Sequence, residues 1–123
     1  MILKPLTVLA MLAAERQQTK NTLAIFFLDS DKNLISLQKQ NLLQLTANMS
    51  DIFVPACYLD AKYIIIAMLV PKRRTQNPTA FEQRQVQKIY TASKFFNINL
   101  LDYLLISKNK YYSFHEAGVL QRL

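Results

Sequence analysis

Tyr63-Ile64-Ile65-Ile66-Ala67-Met68-Leu69-Val70, closed by Pro71, is the stretch on which the reading of the fold turns. Its β-branched side chains crowd a helix but fit the pleat of a strand, and its unbroken apolar character calls for burial on both faces. The expectation is an inner strand of a sheet with other elements packed above and below it. Pro71 lacks the N–H that a ladder needs and ends the strand.

Working outward, Lys72 to Pro78 (KRRTQNP) is a polar loop, and Thr79 with Glu82 has the spacing of a capping box, in which the two residues satisfy each other's backbone N–H groups. The helix that follows runs to about Phe95 or Phe96, with Phe81, Val86, Ile89, Tyr90 and Phe96 roughly on one side. Leu100 to Ile106 reads as a strand, Ser107 to Lys110 as a turn and Tyr111 to Phe114 as its partner strand, before a closing turn or short helix over His115 to Leu120. Upstream, Ser50-Asp51 caps a helix to about Lys62, whose first turns Pro55 should distort. Thr22 to Leu28 is a second buried strand. Asp29 to Asn33 is turn chemistry, Leu34 to Leu37 returns as a hairpin strand, and Asn41 to Thr46 is a third strand or its continuation. Leu6 to Thr19 is a first helix. The order α, β, β, β, α, β, α, β, β implies an α/β (α+β) fold, a mixed sheet with helices packed on it. It is read as one unit over residues 1–123, with a helix in 1–20 and the core in 21–123.

Composition narrows the functions. The 123 residues, 51% hydrophobic and 11% aromatic, supply a real core. Gly118 is the only glycine, which excludes glycine-rich phosphate loops. A lone Cys57 forms no internal disulfide, so a cytoplasmic address is the default. Met1 to Ala14 has one Lys before an apolar run, as a leader does, but Pro5 interrupts the run and the first helix explains the same residues. No apolar stretch reaches the roughly 18 to 20 residues of a membrane span. Fifteen Lys and Arg against eight Asp and Glu leave a net charge of +7, which attracts polyanions through counterion release.

From Asn21 onward the chain resembles the RadC-like branch of the JAB domain family, also called JAMM or MPN domains, whose sheet is similar to that of cytidine deaminases. The resemblance rests on Phe27-Leu28-Asp29 with Asn33-Leu34-Ile35, on Ile64-Ile65-Ile66-Ala67 before Pro71, on Leu101 to Ile106 (LDYLLI), and on Tyr111-Tyr112-Ser113-Phe114 with Gly118-Val119-Leu120. It implies a zinc hydrolase scaffold. Active members place His-x-His-Pro after the strand, Ser and Asp at the start of the next helix, and an upstream Glu as general base. Two imidazoles and a carboxylate hold zinc and leave room for water, whose acidity the metal raises. Against that pattern this chain has Met68 and Val70 for the two His, Thr79 for the Ser, Glu82 for the Asp, and Asn21 near the Glu; only Pro71 is kept. Lys72-Arg73-Arg74 replaces a small Ser-Gly segment, and the loop is one residue longer.

The residue inventory agrees with this. With one His and one Cys, zinc would need an unusual carboxylate set, such as Glu82 with Asp102 or His115. Met68 and Val70 read as core packing and His115 as a surface or packing residue. No metal or other cofactor is expected, and the leading function is a catalytically inactive protein-binding or scaffolding module, self-association included. The alternative is a basic nucleic-acid-binding accessory protein using Lys72, Arg73, Arg74, Arg84 and Lys88, with Lys94 nearby. Tyr111-Tyr112 beside Lys108 and Lys110 read first as hairpin partners rather than base-stacking residues.

Overall fold

The computed structural model describes residues 3–42, 48–73 and 77–123. The strand expected at its centre is there: β3, Tyr63–Leu69, has Ile64 to Leu69 all buried. Antiparallel to it on one side runs β1, Asn21–Leu28, and parallel to it on the other runs β4, Asn99–Ile106. A parallel neighbour needs a crossover, which α4, Ala80–Phe95, supplies. Edge strands β2, Leu34–Leu42, and β5, Tyr111–Ser113, complete a five-stranded mixed sheet in the order β2-β1-β3-β4-β5.

Strand alternation feeds two separate cores. Leu23, Ile25 and Phe27 of β1 with Ile64, Ile66 and Met68 of β3 pack beneath α4 and α3, Met49–Tyr58. Ala24, Phe26 and Leu28 with Ile65, Ala67 and Leu69 pack on the other face, under Val8, Leu9 and Leu12. An irregularity in the β3–β4 ladder decides which face the β4 side chains take. Ile64 pairs with Leu100 but Ile65 pairs with Asp102, so Leu101 is an extra residue. Leu100, Tyr103 and Leu105 therefore join the α3/α4 core, whereas Asp102, Leu104 and Ile106 turn to the other side.

Some boundaries depart from the sequence reading. The first helix breaks at Leu12 into α1, Pro5–Met11, and α2, Ala13–Arg16, and stops there because Gln17 to Lys20 are polar and exposed, with nothing to bury. α3 starts at Met49, tolerates Pro55 inside it and ends four residues before Lys62. Asp60 takes a positive φ of 52°, and Ala61 N–H returns to Ala56 O at 2.9 Å, the six-to-one bond that closes a helix of this kind. Of the two readings of Asn41 to Thr46, the continuation of β2 holds as far as Leu42, and the rest, Leu43 to Thr46, lies outside the described residues. Gln38, Lys39 and Gln40 do not interrupt β2, because an edge strand lets polar side chains reach water. Among the described residues no helix is long and apolar enough to cross a membrane.

Candidate functional site

The end of β3 is built from the strand outward. Val70 N–H donates to Ile106 O at 2.8 Å, and Arg73 N–H donates back to Val70 O at 3.0 Å, a tight turn that swings the Arg73 side chain toward α4. There its guanidinium grips the Glu82 carboxylate with both terminal nitrogens: Nη1 bonds Oε2, and Nη2 bonds Oε1 at 2.8 Å while also reaching Asn77 O at 2.9 Å. The pair is largely sheltered, with side-chain exposures of 9% for Arg73 and 15% for Glu82. Both halves of the expected capping box are present as well. Glu82 N–H donates to Thr79 Oγ1 at 3.1 Å, and Thr79 N–H donates to Glu82 Oε1 at 2.8 Å.

Glu82 is thus the hub of the strand end. Burial pushes its carboxyl up, but the hydrogen bonds from Arg73 and Thr79 and the guanidinium charge outweigh this and hold it below the usual glutamate range. Its negative charge in turn adds to the burial that raises the Tyr103 hydroxyl far above the ordinary range.

Of the positions singled out in the sequence, Met68 faces the α3/α4 core and is 4% exposed, and Val70 is half-buried against the same core. Asn21 lies one residue before the Thr22–Leu69 pair, on the same face of β1 as Leu23. Arg73 links the Val70 turn to Glu82, which bonds Thr79, and Asn21 and Met68 lie on adjacent strands at the same end of the sheet, but these positions bring no imidazole and a single carboxylate. That carboxylate is already saturated by a cation. The residues present do not fit a zinc ion, since a divalent ion within about 4 Å of the guanidinium would meet roughly 8 kcal/mol of repulsion at an effective dielectric of 20. Among the described residues no three His, Cys, Asp or Glu side chains gather closely enough to hold a metal.

The alternative carboxylate set also comes apart. Glu82 lies over the α3/α4 face, whereas Asp102, through the ladder irregularity, lies on the α1 face with Ile65. A sheet separates the two. Asp102 has a structural task that sequence reading missed. Its Oδ2 accepts from Ser113 Oγ at 2.6 Å, and its Oδ1 accepts from the N–H groups of His115 at 3.0 Å and Tyr103 at 2.7 Å. This clasp pins β5 and the following turn to β4. Burial, outweighing the hydrogen bonds from Ser113, His115 and Tyr103, raises its carboxyl above the usual value. The available signal was an Asp in the middle of an apolar strand, a charge that must find donors. His115 itself is exposed, its Nδ1 3.2 Å from Gln121 Nε2.

Tyr111 and Tyr112 behave as hairpin residues, paired with Ile106 and Leu105, and the Tyr112 ring stands edge-on to Phe114 at 5.1 Å. The basic positions sit in different settings. Lys72 is exposed, Arg73 is turned inward onto Glu82, and Arg74 lies outside the described residues. Arg84 and Lys88 are exposed a turn apart on α4, and Lys94 sits over the Tyr90 ring at 4.4 Å.

A family model for the RadC-like JAB domain matches residues 2–119. Among curated proteins, a UPF0758 protein of Actinobacillus succinogenes is 28% identical over 118 residues, which cover 91% of this chain and 52% of that protein. UPF0758 protein NTHI1125 of Haemophilus influenzae is 32% identical over 117 residues, with the same coverage of 91% and 52%. A further UPF0758 protein of Haemophilus influenzae, strain PittEE, is 32% identical over 122 residues, 94% of this chain and 54% of that protein. The chain spans about half the length of the curated relatives it matches.

Proposed function

The chain belongs to the RadC-like JAB domain family, and from that premise we propose that it works without hydrolytic chemistry, as a scaffolding module whose partner is a second copy of itself. The observation that carries this reading is the Arg73–Glu82 pair. It sets a fixed cation, sheltered from solvent, where the resemblance calls for a metal and its activated water. A site that has lost its imidazoles by drift alone has no need of a guanidinium held by three hydrogen bonds. The strand end is here a packing joint that fixes α4 against the sheet.

The surface that offers a partner lies on α3 and α4. Phe53 stacks on Phe96 at 5.1 Å, and a cleft of about 520 Å³ opens beside them, lined by Met49, Val54, Tyr58 and Ala92. Tyr58 and Phe95 are 88% and 83% exposed, far beyond what a solvated helix surface needs of large apolar rings. Charge layout favours a like partner. Tyr58 and Phe95 close helices that end where β3 and β4 begin, whereas Lys20, Lys72 and Lys108 lie at the other end of the sheet. Two copies meeting on this patch through a two-fold axis keep their most cationic ends apart.

Sedimentation equilibrium over a wide concentration range tests the reading. A monomer–dimer equilibrium is expected, abolished in Tyr58→Glu/Phe95→Glu, whose side chains are exposed in the monomer and whose folding should be unaffected. A monomer at every concentration overturns the self-association. Stoichiometric zinc in protein purified without chelator overturns the metal-free reading independently.

A further inference from the structure

We infer that the end of the sheet where β3 and β4 finish is a nucleic-acid surface, built from Lys20, Lys72, Lys108 and Lys110 rather than from α4. The four lysines come from three separate loops. Lys20 precedes β1, Lys72 follows β3, and Lys108 and Lys110 form the turn between β4 and β5. The backbone brings these loops together. Arg16 Nη2 donates to Lys108 O at 2.8 Å, and Lys108 N–H donates to Pro71 O at 3.4 Å, so the β4–β5 turn leans on both the α2 end and the β3 end. All four lysine side chains are exposed.

The acidic residues are either at the far end of the sheet or already engaged by another partner. Asp29, Asp31 and Asp60 lie in turns at the opposite end of the sheet, where Lys62 N–H bonds Leu28 O at 2.9 Å. Glu15 is held by Lys39 and Glu82 by Arg73, while Asp102 is buried against Ser113. Asp51 accepts from Gln40, and Glu116 accepts from Tyr111. These are the eight Asp and Glu of the chain, and among the described residues no ion pair joins one of them to the four lysines. The four lysines thus bring four of the chain's fifteen cationic side chains to one end of the sheet.

Geometry favours a row of phosphates over other anions. In the order β1-β3-β4-β5 the loops sit on adjacent strands, and three steps of about 4.8 Å give a row of about 14 Å. Phosphates recur about every 3.4 Å of axis along each strand of a duplex, so this row faces about four of them. An anionic membrane is the poorer fit, because interfacial binding adds inserted apolar side chains. Among the described residues none of the large exposed apolar side chains, Val54, Tyr58, Phe95 and Phe96 among them, lies in these loops.

The test is fluorescence anisotropy of labelled single- and double-stranded oligonucleotides at low salt, with a salt titration. Binding is expected, with a steep salt dependence. Lys20→Ala/Lys72→Ala/Lys108→Ala/Lys110→Ala should weaken it at least tenfold and flatten the slope of log K against log salt by about 3, at roughly 0.7 to 0.9 per lost phosphate contact. Arg84→Ala/Lys88→Ala, which removes half as much charge from elsewhere, should change affinity less than twofold. No binding to any oligonucleotide overturns the proposal. So do equal losses per charge in the two variants, effective competition by polyglutamate of matched charge, or preferential binding to phosphatidylglycerol vesicles. Circular dichroism of the quadruple variant separates loss of the surface from loss of the fold, and a variant that unfolds is replaced by the four single substitutions, whose losses should then each be severalfold.

Discussion

Removing the Glu82 carboxylate is the sharpest perturbation, because it takes the counter-charge from a guanidinium whose side chain is only 9% exposed. Breaking a fully buried pair from one side costs about 3 to 5 kcal/mol; at a loop edge, where water can relax into the gap, about half of that applies, near 2 kcal/mol. Glu82 also accepts the Thr79 N–H, so the helix start loses one side of its capping box, worth about another 0.5 kcal/mol. Glu82→Ala should therefore cost about 2.5 kcal/mol, or a fall in Tm of roughly 10 °C at about 4 °C per kcal/mol for a domain of this size. Arg73→Met keeps the aliphatic stem and leaves Glu82 at a helix N-terminus, where the dipole favours a negative charge, so its cost should be near 1 kcal/mol. The double variant has neither an orphaned cation nor an orphaned anion and should cost about 1.5 kcal/mol, a coupling of roughly 2 kcal/mol. Urea unfolding of the four proteins at pH 7, followed by circular dichroism, closes the cycle. If the double variant loses the sum of the single losses to within about 0.5 kcal/mol, the pair is not coupled and the view of this strand end as a packing joint is refuted.

The same pair has a signature in pH. Because the folded-state carboxyl of Glu82 is lowered, its stabilisation is present above the ordinary value of 4.5 and is lost as pH falls through the lowered value. Glu15 with Lys39 acts with the same sign; the part of the acid-side slope that vanishes in Arg73→Met belongs to Glu82, and an unchanged slope contradicts the assignment. Asp102→Ala leaves three donors without their acceptor and should cost about 2 to 3 kcal/mol, while Asp102→Asn, which retains one acceptor oxygen, should cost about 1 kcal/mol or less, read by thermal unfolding. Equal losses in the two would show that the clasp is not what matters there. Phe27→Ala, at a fully buried ring beneath α3 and α4, should cost about 3 to 5 kcal/mol in a urea melt, and a loss under about 1 kcal/mol would contradict the packing described for that face.

Much of the architecture is legible in local chemistry. The β-branched run at Tyr63 requires an inner strand, the Thr79–Glu82 spacing marks the start of α4, and the Asp29 to Asn33 turn returns β2 along β1. Each is set by interactions between residues close in sequence or by a burial pattern that one strand carries by itself. Boundaries were less legible where the deciding contact is tertiary. The end of α3 depends on Asp60 accepting a left-handed backbone, a strain paid for only once Ala61 is buried, and β2 continues through polar residues because it is an edge.

By itself the sequence determined the family resemblance, the mixed sheet and the absence of imidazoles from the strand end, since these follow from which residues are present and in what order. Only the tertiary structure decided what the cations beside that strand do. In sequence Lys72, Arg73 and Arg74 look alike, but the turn at Val70 sends Arg73 nine residues forward onto Glu82 and leaves Lys72 in solvent. One extra residue in the β4 ladder likewise placed Asp102 and Glu82 on opposite faces of the sheet, a separation no spacing rule contains. The direction of a side chain depends on backbone register, and register is fixed by the packing of both sheet faces at once.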